Sequence, residues 1–161
     1  MERPLLRDDA SQKNLIQNMG VYNILDADLS SYTVLVADDI ELNLLMVKKM
    51  LAKYNFRVLT ASDGQEAMDM IAEHKPALLL VDLMMPVLNG FEVISRVRSN
   101  PEYSSMRIVV LSALNASESI IEALTLGADE FIAKPITLKR LYDSVSKQFE
   151  MILAMGADAN G

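Results

Sequence analysis

Short β-branched or aliphatic runs alternate with amphipathic stretches along most of the chain. The runs are Thr33–Ala37, Phe56–Thr60, Ala77–Val81, Arg107–Leu111 and Glu130–Ala133. Each is too short for a helix and is bounded by turn residues or charges, so each predicts a strand. The stretches between them predict helices over Glu41–Tyr54, Gln65–His74, Gly90–Ser99 and Glu118–Leu126, with a longer one from Leu138 to about Met155. In the first, Leu44, Val47, Leu51 and Tyr54 fall on one side, flanked by Met46 and Met50, while Glu41, Lys48, Lys49 and Lys53 take the other. In the last, Leu138, Leu141, Val145, Phe149 and Ile152 recur three or four apart. Pro76 stops the second helix and Gly127 caps the fourth.

Five strand–helix repeats with continuously apolar strands predict an α/β fold whose parallel sheet is covered on both faces. Right-handed crossovers make it doubly wound, with the five strands ordered 2-1-3-4-5 as in flavodoxin-like folds. The functional crevice of such a sheet lies beyond the carboxyl ends of the strands, at the switch point between strands 1 and 3. Residues 1–31 are an N-terminal extension with one short amphipathic helix expected between about Ser11 and Leu25, built on Leu15, Ile16, Met19, Tyr22 and Leu25 and interrupted by Gly20. Residues 32–155 form the domain, and 156–161 a small-residue tail.

Composition narrows the chemistry. The chain has 161 residues, 22 acidic against 15 basic, and a formal net charge of −7, which disfavours sequence-independent nucleic-acid binding. No apolar stretch approaches the roughly 20 residues of a membrane span, and the N-terminus lacks a signal-peptide core, so a soluble cytoplasmic domain is expected. Zero cysteines exclude disulfides, zinc knuckles and thiol nucleophiles. A single histidine, His74, excludes His-cluster metal sites, and Lys75-Pro76 ends its helix too soon for a phosphohistidine role.

Against that background the strand ends stand out. Asp38-Asp39 follow strand 1, Asp82 follows strand 3, Ser112 follows strand 4, and Lys134-Pro135 follow strand 5. An Asp or Ser after a strand is often a helix cap, and Asp39 or Ser112 fits that role. Four aligned strand ends bearing such residues are harder to explain by capping. Three carboxylates without histidine or thiol make a hard oxygen site for Mg²⁺ or Mn²⁺. A divalent ion and Lys134 would hold the carboxylates ionised, and a metal-associated carboxylate can attack phosphorus. Lysine and hydroxyl would then stabilise the transferring group, so the cluster reads as a phosphoryl-acceptor site.

Four segments carry a family resemblance: Val34–Asp39, Asp82-Leu83-Met84-Met85-Pro86 followed by Asn89-Gly90, Val109–Ala113, and Gly127–Pro135. Together, in this order and spacing, they resemble the receiver domain of two-component response regulators over residues from about 32 to 150, of the stand-alone, single-domain type. The resemblance implies that Asp82 accepts a phosphoryl group from a phosphohistidine on a sensor histidine kinase or histidine phosphotransfer protein. It implies Mg²⁺ on Asp39, Asp82 and the Met84 carbonyl, with Asp38 ligating directly or through water. Lys134 would pair with the phosphoryl oxygens, Ser112 would swing in to hydrogen-bond them, and Pro135 would follow a cis peptide that aims Lys134. Phe131 takes the aromatic switch position where many receivers carry tyrosine; a plain core role on strand 5 is equally open. Met84 and Leu114, apolar at the two positions flanking the hydrolytic water, imply slow self-dephosphorylation, the only other catalysis expected.

Asn43 lies within the apolar face of the first helix and is expected to brace a neighbouring loop. Output is expected through protein–protein contacts at the face made by helix 4, strand 5 and helix 5, with Ile120, Leu124 and Leu126 as candidate exposed residues, or through phosphoryl relay. The downstream partner is unspecified, and a homodimer stays open. Three other classes compete. A metal-dependent phosphohydrolase needs a second Asp where Met84 stands, and a mononucleotide binder needs a glycine- and hydroxyl-rich loop where Asp38-Asp39-Ile40-Glu41 stand. A receiver-like interaction module independent of phosphorylation is the main alternative.

Overall fold

The computed structural model describes Ile24 and residues 27–160, with side chains through Gly156. The helix expected between Ser11 and Leu25 lies, apart from Ile24, outside the described residues. In chain order the elements are β1 (Thr33–Ala37), α1 (Glu41–Met50), β2 (Arg57–Ala61), α2 (Gly64–His74), β3 (Leu78–Val81), α3 (Gly90–Ser99), β4 (Arg107–Ser112), α4 (Ser117–Leu126), β5 (Glu130–Ala133) and α5 (Leu138–Asn160). All strand pairs are parallel and the order is β2-β1-β3-β4-β5, as the repeat pattern requires.

Strand apolarity is continuous because neighbouring residues serve opposite faces. Leu35, Leu79, Val81, Ile108 and Val110 pack under α2, α3 and α4 against Ala67, Ile71, Val93, Ile94, Val97 and Ala123. Val34, Val36, Leu78, Leu80, Val109 and Ile132 pack on the other side against Leu44, Val47, Leu141, Val145, Phe149 and Ile152 of α1 and α5. Ile24 and Leu29 are buried in this second core.

Local chemistry sets the ends. Asp63 caps α2 by accepting from Glu66 N at 2.7 Å, and Asn89 and Glu92 form a capping box at α3. Helix α2 ends on Lys75 at φ 46°, ahead of Pro76, and α4 ends on Gly127 at φ 120°. Several expected boundaries shift, most by a single residue. The α-helical part of the first helix stops at Met50, and Leu51–Lys53 tighten into a 3₁₀ turn. β2 starts at Arg57, since Phe56 stacks between Tyr54 and Phe149 at ring separations of 4.9 and 5.1 Å. The expected tail is helical as far as Asn160.

Candidate functional site

The backbone ladder runs one residue past three strands and puts the polar side chains at one level. Asp38 N donates to Ala61 O at 3.1 Å, Asp82 N to Ala37 O at 3.0 Å, and Lys134 N to Ser112 O at 3.0 Å. Each chain is pinned before it turns away, so Asp38 and Asp82 leave the sheet from the neighbouring strands β1 and β3, and Lys134 leaves from β5 on the far side of β4, which Ser112 closes.

Asp82 is 7% exposed and Asp38 5%, whereas Asp39 is exposed. Lys134 Nζ stands 2.9 Å from Asp82 Oδ2 and 2.6 Å from Asp38 Oδ2. Asp82 Oδ1 accepts from the Ser112 hydroxyl at 2.8 Å and from Met84 N at 3.2 Å. Asp38 Oδ1 accepts from Ile40 N at 2.9 Å, and Oδ2 also accepts from Asn43 Nδ2 at 3.1 Å. Burial on its own would lower the Lys134 pKa, but hydrogen bonds and charge from Asp38 and Asp82 outweigh it and raise the pKa. The ammonium is therefore fixed in its charged form between two carboxylates.

One oxygen each from Asp38, Asp39 and Asp82 lies within 4.8 Å of the others. Three carboxylates against one ammonium leave an excess of two negative charges, and every donor is a hard oxygen. That set fits a divalent cation of the Mg²⁺ type and lacks the nitrogen and sulfur ligands that zinc favours. Beside it, Met84, Met85, Phe91, Leu114 and Asp39 line a cleft of about 520 Å³.

A profile of the response regulator receiver domain matches residues 34–146. The chain belongs to that family. It is 36% identical over 124 residues to response regulator GtcR of Aneurinibacillus migulanus, covering 74% of this chain and 50% of that protein. It is 29% identical over 118 residues to chemotaxis protein CheY of Bacillus subtilis (strain 168), covering 73% of this chain and 97% of CheY. The crystal structure of a putative response regulator from Chloroflexus aurantiacus superposes with a TM-score of 0.69 at 27% identity, covering 73% of this chain and 96% of that one. The chain thus spans about half the length of GtcR.

In this receiver domain Asp38, Asp39, Asp82, Ser112 and Lys134 converge at one strand-end crevice. Capping does not explain them: α1 has no side-chain cap, and Ser112 ends a strand with its hydroxyl on Asp82. The Lys134–Pro135 peptide is cis. Met84, 60% exposed, stands at the mouth, and Phe131 is half-buried against the α2–α3–α4 core. Asn43, in the first turn of α1, braces the loop that follows β1, as expected, and does so through the Asp38 carboxylate. One expectation needs correction. The exposed apolar residues of α4 are Ile121 and Leu124, whereas Ile120 and Leu126 are partly buried: the helix is rotated so that Ala123 faces the sheet. Among the described residues, no helix is long and apolar enough to cross a membrane.

Proposed function

We propose that the domain is a phosphoryl acceptor in two-component signalling, with Asp82 as the acceptor. The observation that carries this reading is the environment of the Asp82 carboxylate. It is nearly buried, one oxygen faces a fixed ammonium and the other a hydroxyl, and two further carboxylates stand beside it. Receivers of this family interact with histidine kinases or histidine phosphotransfer proteins, so the donor in this reading is a phosphohistidine.

In the transfer an Asp82 oxygen forms a bond to phosphorus as the phosphorus–nitrogen bond to the donor imidazole breaks. The bonding pair stays on that nitrogen. Mg²⁺, held by Asp39, Asp82 and the Met84 carbonyl with Asp38 nearby, would neutralise charge on the transferring oxygens. Lys134 already has two carboxylate partners, so it moves only a short way to a phosphoryl oxygen. The Ser112 hydroxyl turns from Asp82 Oδ1 to the same group. Hydrolysis is slow in this reading, since Met84 and Leu114 cannot orient water by hydrogen bonding.

Met84, exposed in the cleft beside the carboxylates, and exposed Ile40, Leu42 and Val87 in the segments that follow Asp39 and Asp82 offer the donor protein apolar contacts, while Ile121 and Leu124 mark a separate contact on α4 for output. A cytoplasmic location accords with this chemistry.

Intact-mass measurement after incubation with Mg²⁺ and a small acyl phosphate tests the reading, with Asp82→Asn alongside. One added phosphoryl group, absent from the variant and from the metal-free sample, is expected. No adduct from a folded chain, and no beryllofluoride-induced change in its NMR spectrum, would favour the phosphorylation-independent module instead.

A further inference from the structure

We propose that Asn43 is a positioning residue of the acceptor site. Its side-chain amide sets the plane of the Asp38 carboxylate and thereby divides Lys134 between Asp38 and Asp82. The inference rests on the acceptor reading above. Its starting point is the set of donors on Asp38. Oδ1 is tied to Ile40 N at 2.9 Å, a bond that alone leaves the carboxylate free to turn about its last torsion, which is broad for aspartate. The second tether comes from Asn43 Nδ2, 3.1 Å from Oδ2, and Oδ2 is the oxygen that also takes Lys134 Nζ at 2.6 Å. Asn43 and Lys134 therefore occupy the two lone pairs of one oxygen.

With the amide gone, the vacated lone pair is open to the ammonium, which has three protons to distribute. Lys134 then shifts toward Asp38 and away from Asp82. The phosphoryl-binding charge leaves the acceptor, and a tighter ion pair on Asp38 opposes any cation entering the cluster. An amide suits this task. It orients a carboxylate without cancelling its charge, whereas a second ammonium would halve the negative excess that attracts a divalent ion.

Helix stability does not account for asparagine here. Asparagine is a poor helix former, and the cleft beside it is lined by Met46, Val47, Met50 and Ile136, where an aliphatic residue would pack at least as well. The amide sits where local structure favours an apolar group, and its hydrogen-bond donor points at the site.

Asn43→Leu and Asn43→Ala, each alone and in an Asp38→Ala background, test the proposal with three readouts. These are the initial rate of phosphoryl uptake from a small acyl phosphate at saturating Mg²⁺, the Mg²⁺ midpoint from backbone-amide NMR without donor, and the thermal midpoint. Loss of a hydrogen bond to a charged group predicts a fall in rate of about tenfold and a several-fold rise in the Mg²⁺ midpoint. The thermal midpoint of Asn43→Leu should equal or exceed that of the wild type. In the Asp38→Ala background, removing Asn43 should change the rate by less than about twofold, since the effect passes through Asp38. Wild-type-like rates and midpoints in both single variants would overturn the inference alone. So would an undiminished loss in the Asp38→Ala background. A wild-type chain that takes up no phosphoryl group would overturn the acceptor reading and this inference with it.

Discussion

Gly90 opens α3 directly against the strand that carries Asp82, and its missing side chain sets the distance between them. A Cβ added there would stand 2.6 Å from Leu83 Cα and 3.0 Å from the Asp82 carbonyl carbon, and closer still to the Asp82 carbonyl oxygen. Carbon atoms settle at about 3.5–4.0 Å, so α3 must withdraw by roughly 1 Å. No rotamer change relieves this, because every atom met is backbone. Both sides are also tethered: Gly90 N donates to Leu83 O at 2.9 Å, Asp82 N to Ala37 O at 3.0 Å, and the capping box holds Asn89. Overpacking of this kind costs about 1–3 kcal/mol. Against it, alanine loses less chain entropy than glycine on folding, worth about 0.4–1 kcal/mol. Gly90→Ala should therefore destabilise the domain by about 1–2 kcal/mol, a drop in Tm of about 2–8 °C for a chain of this size.

Urea denaturation of Gly90→Ala beside Gly156→Ala checks this. At Gly156 the nearest atom to an added Cβ is Tyr32 Oη at 3.8 Å, an ordinary contact. That variant should match the wild type or gain up to about 1 kcal/mol, the helix-propensity difference. On the acceptor reading, Gly90→Ala should also take up phosphoryl groups more slowly, because the added Cβ presses on the backbone of Asp82 and Leu83. A Gly90→Ala domain as stable as wild type would refute the close-packing argument.

Three further outcomes are expected. Val87 is β-branched, exposed and at φ 69°, a conformation costing about 1–2 kcal/mol, so Val87→Gly should stabilise the domain by about 0.5–1 kcal/mol after glycine's entropy is counted; a lower urea midpoint would contradict this. Burial raises the Tyr54 pKa above the ordinary 10.0, with the nearby Tyr142 and Asp143 adding to it and Ser146 opposing. The protonated phenol thus supports the fold below pH 10, and that support is lost as pH rises through the raised value. Alkaline titration of stability should fall less steeply for Tyr54→Phe, and identical curves would count against the buried phenol as the cause. Finally, Met84→Asn combined with Leu114→Glu should shorten the lifetime of the phosphorylated protein, followed by loss of the mass adduct; an unchanged lifetime would mean that water access at the mouth is not limiting.

The sequence displays the fold well because a parallel sheet covered on both faces demands continuous apolar runs, and Leu78–Val81 can be little else. The crevice follows from topology, and its polar residues are legible because they interrupt such runs at their carboxyl ends. What escapes the sequence depends on contacts between distant residues or on rotation about a helix axis. The amide of Asn43 reads as a helix-face anomaly, and only the turn of α1 over β1 reveals Asp38 as its partner. Ile121 and Ile120 are adjacent and chemically identical, yet α4's orientation exposes the first and half-buries the second. The positive φ of Val87 contradicts the residue's own preference, so no propensity argument can find it.

The two ends of the sheet are held in physically different ways. At the amino ends of β4 and β5, Asp129 accepts from Arg98 at 3.0 Å and from Ile108 N at 2.8 Å and pairs with Arg107 at 3.4 Å. Arg107 continues to Gln148, which shares Glu130 with Ser144. This network ties α3, the α4–β5 turn, both strands and α5 together, and none of its bonds runs through Asp82. At the carboxyl ends the corresponding ties run through Asp82, whose two oxygens hold Ser112 and Lys134. A substituent bonded to either oxygen takes a lone pair and adds new acceptors, so Ser112 and Lys134 must re-partner. Ser112 also accepts from Leu114 N at 3.2 Å, which carries any reorientation of its hydroxyl into the segment leading to α4. On the acceptor reading, a group added to Asp82 would therefore act on the end of the domain whose side-chain ties run through it, while the network at the opposite end contains no bond to Asp82.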